Sequence, residues 1–169
     1  CNFDTHWYGV GCIDPCDIYR DGYDCKAGRI TALTLHDNNM TGTLAFPNVT
    51  SLDLSGNRIS GTLPQGACPQ TLNLSSNALS GTLPPDWAPI NASVAHNSLT
   101  GPLPSDWGTA GVLQLDLGYN KLDSSLPGNW SKMVQMQHLG LYSNKISGSL
   151  PDEWSKMVKM QHLGLDSNK

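Results

Sequence analysis

What this chain has little of narrows its function first. Charged residues are 14% of its 169 residues, and Glu153 is its one glutamate. Paired carboxylates for general acid–base work are therefore scarce. There is no Gly-rich phosphate loop and no nucleophile elbow, so we expect neither an enzyme nor a cofactor. No apolar run approaches the ~20 residues of a membrane helix. No basic start leads into an apolar stretch, so no signal peptide is read at the beginning. Charge of one sign is thin as well. Residues 1–28 hold Asp4, Asp14, Asp17, Asp21 and Asp24 against Arg20 and Lys26, a net of −3. Residues 121–169 hold six Lys against Asp123, Asp152, Glu153 and Asp166, a net of +2. Neither block is strong enough to imply nucleic acid or a membrane surface.

Asn, Ser and Thr take the place of charge. Five Asn-x-Ser/Thr acceptors occur, at Asn39, Asn48, Asn73, Asn91 and Asn129, and N-linked glycans are expected on them. Four of the five cysteines, Cys1, Cys12, Cys16 and Cys25, crowd into the first 25 residues. That density points to disulfides and an oxidising compartment. Both signals place the chain outside the cell or on its surface, as a mature fragment whose leader has been removed.

The dominant feature is a repeat. The segments "LDLSGNRISGTLP" (52–64), "LNLSSNALSGTLP" (72–84), "LDLGYNKLDSSLP" (115–127) and "LGLYSNKISGSLP" (139–151) share the frame L-x-L-x-x-N-x-L-S-G-x-L-P. The frame Asn falls at 38, 57, 77, 97, 120, 144 and 168, at spacings of 19, 20, 20, 23, 24 and 24. A period of 20–29 residues with this frame is the signature of a leucine-rich repeat. The expected fold is a curved right-handed solenoid with a parallel β-sheet on its concave face and short 3₁₀ or irregular convex arcs. Residues 1–28 form a cysteine-rich cap, and residues 29–169 form six coils plus a truncated seventh.

Each frame position has a physical reading. In L-x-L the leucines alternate with polar residues, so Leu52 and Leu54 face in while Ser51, Asp53 and Ser55 face out. The Asn turns the chain, and its amide satisfies backbone groups stripped of partners by the bend, one Asn above the next. Ile59, Leu79, Leu99, Leu122 and Ile146 re-enter the core. The Gly of S-G permits a tight bend, and the Pro of L-P opens the return arc. Trp87, Trp107, Trp130 and Trp154 recur at one station and should stack as a column over the convex side of the core. Trp130, Met133, Met136 and Leu139 are spaced by three, which suits a 3₁₀-like arc with one inward face. The 19–20-residue coils have little room for such an arc and should be pinched. The last coil stops at Asn168-Lys169 with Leu163 and Leu165 uncovered, which suggests that the native chain continues or is capped there. The near-identity of 128–145 and 152–169 points to a recent duplication.

The Trp-x-Gly-Val-x-Cys element of "CNFDTHWYGVGC" (1–12), together with L-S-G-x-L-P, resembles the plant-type leucine-rich repeat class. The stretches "LPPDW", "LPSDW", "LPDEWSKM" and "QHLGL" resemble the repeats of the parasite surface antigens of Leishmania and related kinetoplastid surface proteins. That resemblance implies an exposed or shed repeat protein in contact with host factors. For the cap, the plant-type resemblance implies Cys1–Cys12 with Trp7 on the first coil, which leaves Cys16–Cys25; four cysteines allow three connectivities. Cys68 reads as a buried apolar filler or as a link to another chain or segment.

Metal sites read poorly from the sequence. Cys12, Cys16, Cys25 and His6 lack the two tight pairs of a zinc site. "DIYRDGYD" (17–24) has Tyr19 and Gly28 where a calcium loop needs ligands. His138 and His162 occupy one outward position of adjacent coils, so their rings should lie about 5 Å apart. The strand residues that face outward are small and polar, with Asn73 and Asn91 among them. We therefore expect partner contacts at the C-terminal coils, through Tyr119, His138, Tyr142 and His162. The function expected is recognition of a protein or glycoprotein ligand. The alternatives are a structural or shielding surface coat, or a plant receptor ectodomain or inhibitor of cell-wall-degrading enzymes.

Overall fold

The computed structural model describes residues 23–26, 29–109 and 111–169. Cys1, Cys12 and Cys16, the two cap pairings, Trp7 and the metal readings of the opening lie outside the described residues; of Cys25 only the backbone is described. The described strands are β1 (Tyr23–Lys26), β2 (Arg29–Thr34), β3 (Thr41–Thr43), β4 (Ser51–Asp53), β5 (Arg58–Thr62), β6 (Thr71–Asn73), β7 (Ala78–Gly81), β8 (Asn91–Ser93), β9 (Ser98–Gly101), β10 (Gln114–Asp116), β11 (Lys121–Leu122), β12 (His138–Gly140) and β13 (His162–Gly164). They form two sheets, ordered β1-β2-β4-β6-β8-β10-β12-β13 and β11-β9-β7-β5-β3.

The longer sheet is the concave one that the repeat predicts. Its L-x-L strands pair in parallel register, Leu52 beside Leu72 and Leu115 beside Leu139. Leu52, Leu54, Leu72, Leu74, Leu139 and Leu141 are all buried to 2% exposure or less. Each such side chain contributes roughly 1.5–3 kcal/mol on burial. That gain exists only when coils stack, because a single coil has no second layer to cover it. β1 extends this sheet in antiparallel fashion, with a bulge between Asp24 and Cys25.

The shorter sheet corrects one expectation. The S-G segment was read as a tight bend, yet it runs as a strand. After the frame Asn the alternation resumes, with Ile59, Leu79 and Leu99 buried between exposed or half-buried neighbours. The chain therefore extends and pairs with the same segment of the next coil. The bend is confined to the glycines at or next to the ends of these strands: Gly61, Gly81 and Gly101 have φ of 87°, 81° and 78°, values that favour glycine.

The asparagine ladder is present and bonds the coils to one another. Asn120 Nδ2 donates to the carbonyls of Val94, Leu117 and Gly118, and its Oδ1 accepts from the Leu99 amide. Asn77 does the same with Leu54, Leu74 and Ile59, and Asn144 with Leu117, Leu141 and Leu122. Each side chain thus ties its own turn to the coil before it. Asn38 departs from the pattern. It is exposed, and its amide reaches only the His36 carbonyl two residues back.

The extra residues of the 23–24-residue coils wind into 3₁₀ turns at Ser105–Thr109, Gly128–Lys132 and Asp152–Lys156. The tryptophan column forms from three of the four expected members: Trp107–Trp130 and Trp130–Trp154 stack with centroids 6.1 and 6.2 Å apart, while Trp87 pairs with Phe46 instead. The structure adds a bond that spacing could not show. Each indole N–H donates to a proline carbonyl one coil earlier, Trp87 to Pro64, Trp107 to Pro84, Trp130 to Pro104 and Trp154 to Pro127. The coil without a Trp leaves a gap at this station, and Phe46 and Trp87 meet across it at 5.4 Å. Cys68 lies in that coil, half-buried and packed against the core. Burial pushes its thiol pKa up, which suits a packing residue better than a reactive one. At the far end Leu163 and Leu165 are only partly buried.

Candidate functional site: the concave face

In every coil the residue before the frame Asn adopts a left-handed conformation: Asp37, Gly56, Ser76, His96, Tyr119, Ser143 and Ser167 have φ between 52° and 65°. This geometry turns the backbone amide toward the next coil, as when the Tyr119 N–H donates to the Tyr142 carbonyl at 3.0 Å. Gly suits such a position best, Asn, Asp and His are enriched there, and a bulky residue such as Tyr is uncommon. Two coils nevertheless place rings there. His96 and Tyr119 stack at 4.1 Å with planes 17° apart, and Tyr119 meets Tyr142 edge to face at 5.3 Å. Tyr119 is 49% exposed. The pair stands as an upright wall beside the C-terminal strands.

Tyr142 is arranged differently from the free outward side chain expected of it. Its ring lies along the sheet over three glycines of three successive coils. A Cβ built on Gly118 would collide with one edge of the ring, and Cβ atoms on Gly140 and Gly164 would come within 2.8 and 3.0 Å of its other edge. The phenol donates a hydrogen bond to Asp116 Oδ2 at 2.8 Å. Burial, then that bond and the carboxylate charge, push the Tyr142 pKa up to about 12. The hydroxyl therefore remains protonated at neutral pH and continues to donate. Gly118, Gly140 and Gly164, at outward frame positions of their coils, are buried. Ala95, on the same face, is buried as well.

A groove of about 380 Å³ runs along this face, lined by Asn73, Asn91, Gln114, Asp116, His138, Tyr142 and His162 among others. Three of the four residues expected to meet a partner thus share one depression, and the fourth, Tyr119, stands beside it. His138 and His162 pair in register, but their rings lie 6.4 Å apart and tilted by 46°, wider than the 5 Å strand spacing. The backbones keep the sheet spacing while the imidazoles splay. No group of three or more His, Cys, Asp or Glu able to hold a metal occurs among the described residues. Sequence reasoning missed Asp116 as the anchor of Tyr142 and His96 as the outer ring of the wall. Both depend on neighbours 23 and 26 residues away.

Of the glycosylation acceptors, Asn39, Asn48 and Asn129 are exposed, while Asn73 and Asn91 are half-buried in the groove. Asn73 Oδ1 also accepts from the amide and hydroxyl of Ser75.

Comparison with known proteins agrees with the fold. The family model described as Leucine Rich Repeat matches residues 48–69, 68–90 and 135–157, so the chain carries leucine-rich repeats. No curated protein sequence matches it. Among solved structures, Pollen Receptor Kinase 3 is similar over 93% of this chain and 83% of its own, at 22% identity and a TM-score of 0.75. The Arabidopsis receptor kinase HAESA, solved with the peptide hormone IDA and the co-receptor SERK1, is similar over 98% of this chain at 22% identity and a TM-score of 0.73. This chain spans only 34% of HAESA. A plant ice-binding protein is similar over 76% of this chain and 46% of its own, at 25% identity and a TM-score of 0.63.

Proposed function

We propose that this chain is an extracellular recognition module that holds a protein or glycoprotein ligand against the C-terminal half of its concave sheet. One observation carries the reading: the rings of Tyr119, His138, Tyr142 and His162 gather at one end of the face, beside a groove whose remainder is small and polar. Aromatic side chains supply most binding hot spots. The likeness in fold to receptor ectodomains, one of them solved with a peptide hormone, supports a binding role and an extracellular location. The five glycosylation acceptors support that location too. The test is capture of extracellular proteins from the source organism by the immobilised chain, compared with the double variant His138→Ala/Tyr142→Ala. Retention should fall at least about tenfold, the size of one or two lost hot-spot contacts. Equal retention by both forms would remove the reading. Peptide mass spectrometry of the native protein supplies the second arm. Sugars on both Asn73 and Asn91 would fill the groove and favour the shielding role that the kinetoplastid surface-antigen resemblance suggests.

A second reading is favoured by the shorter sheet. Its exposed hydroxyls fall in register, Thr43 opposite Ser60 and Thr62 opposite Ser80. Neighbouring strands stand about 4.7–4.9 Å apart. The methyls of Thr43, Thr62 and Thr82 sit over Gly61, Gly81 and Gly101, where an added Cβ would come within 3.2, 2.9 and 2.9 Å, so each Thr is held in one orientation. A regular array of fixed hydroxyls and methyls can order water as ice does, and one structural neighbour is an ice-binding protein. The chain should then inhibit ice recrystallisation, and Thr62→Lys should abolish the effect while His138→Ala/Tyr142→Ala leaves it intact. Recrystallisation at the rate of a buffer control would end this reading.

A further inference from the structure

We propose that Tyr142 is a stacking platform for a neutral sugar, so that the groove engages its ligand through a glycan. This rests on the recognition reading and specifies the chemistry it uses. The ring is a floor with one face packed and the other turned to the groove. Its two long edges lie over Gly118 on one side and over Gly140 and Gly164 on the other, which fixes its plane parallel to the sheet. The bond from its hydroxyl to Asp116 anchors the far end of the ring, and Tyr119 meets it edge to face. A pyranose presents an apolar C–H face and a rim of hydroxyls. A flat ring accepts the face through dispersion and the ring's negative quadrupole. Farther along the groove, the side-chain amides of Gln114 and Asn91 carry both donors and acceptors, and neither is engaged by a described residue.

The lining also argues against other occupants. Among the described residues no Lys or Arg lines the groove, and Asp116 supplies negative charge, so uronates, sulfated sugars and phosphates are disfavoured. Of the strands lining it, β6, β8, β10 and β12 are paired on both sides and β13 alone, at the end of the sheet, keeps a free edge, so an added peptide strand could join the sheet beside His162 but not within the groove.

The test uses the full chain secreted from a eukaryotic host with the two groove acceptors disabled by Ser75→Ala and Ser93→Ala, which leaves Asn73 and Asn91 bare, and with chitotetraose, cellotetraose and mannotetraose as neutral probes and trigalacturonate as the anionic control. Binding is read by calorimetry and saturation-transfer NMR. At least one neutral probe should bind, with saturation transferred to its ring protons. Tyr142→Ala should weaken that binding at least about tenfold, the usual size of one lost aromatic stack. Tyr142→Phe, which keeps the ring and drops the bond to Asp116, should keep most of it. Gln114→Ala, at an exposed position that bears on no fold contact, should weaken binding with an unchanged melting curve. The proposal is overturned if no neutral probe binds, if trigalacturonate binds as well as they do, or if Tyr142→Ala leaves affinity unchanged. Protein capture that depends on Tyr142 but persists after enzymatic deglycosylation of the captured proteins would overturn the sugar proposal and keep the recognition reading. Loss of that capture in every arm would overturn both.

Discussion

Replacing Asn120 by alanine should lower stability by about 3–5 kcal/mol. The side chain is 8% exposed and serves four backbone groups: the carbonyls of Val94, Leu117 and Gly118 and the amide of Leu99. Alanine leaves these groups without that partner inside the stack, and each buried polar group left unmade costs about 1–3 kcal/mol. Relaxation and water entry recover part of the total. For a chain of this length, 1 kcal/mol corresponds to about 2–4 °C in melting temperature, so a fall of about 10 °C is expected by circular dichroism. Asn38→Ala is the matched control. The residue holds the same frame position, but it is exposed and makes one side-chain bond, to His36, so its loss should cost under about 0.5 kcal/mol. Equal melting of the two variants would show that the inter-coil amide bonds do not hold the solenoid together.

Trp130→Ala should be at least as damaging, at about 3–5 kcal/mol. Trp130 is fully buried and stacked on both faces, by Trp107 and Trp154. Truncation leaves a cavity between two rigid rings that cannot collapse without moving their coils. It also strips the Pro104 carbonyl of its indole donor. Trp130→Phe separates the two effects: it restores much of the packing and loses the N–H···O bond, at a cost nearer 1 kcal/mol. Trp154, with one stacked neighbour and 6% exposure, should cost less than Trp130 when truncated. Chemical denaturation of the three variants orders them. If Trp154→Ala proved the most damaging, the column would not be the source of the stability.

Much of the architecture was legible because it is periodic and local. The L-x-L alternation fixes which side of a strand is buried, whatever the neighbouring coil contains. The Asn spacing sets the number of coils, and the three-residue spacing of Trp130, Met133, Met136 and Leu139 reads out as an inward face with exposures of 2% or less. The second sheet was missed for a definite reason. A Ser-Gly step reads as a bend when taken alone, and it becomes a strand only when an identical segment lies alongside to pair with it. The indole bonds to proline carbonyls were hidden for a similar reason, since donor and acceptor stand 23–27 residues apart.

The candidate site divides along the same line. Tyr119, His138, Tyr142 and His162 could be placed on one face from their frame positions, because frame position determines direction. What the rings do there was not readable from the frame. Tyr142 lies flat because Gly118, Gly140 and Gly164 come from three different coils and only stacking lays them side by side. It is held there because Asp116, 26 residues earlier, ends up beneath its hydroxyl. The sequence alone determined the repeat, the inward leucines and the ladder of asparagines, since these follow from a pattern each coil carries within itself. The tertiary structure decided the floor, the wall and the groove, since these arise where neighbouring coils depart from the pattern in complementary ways.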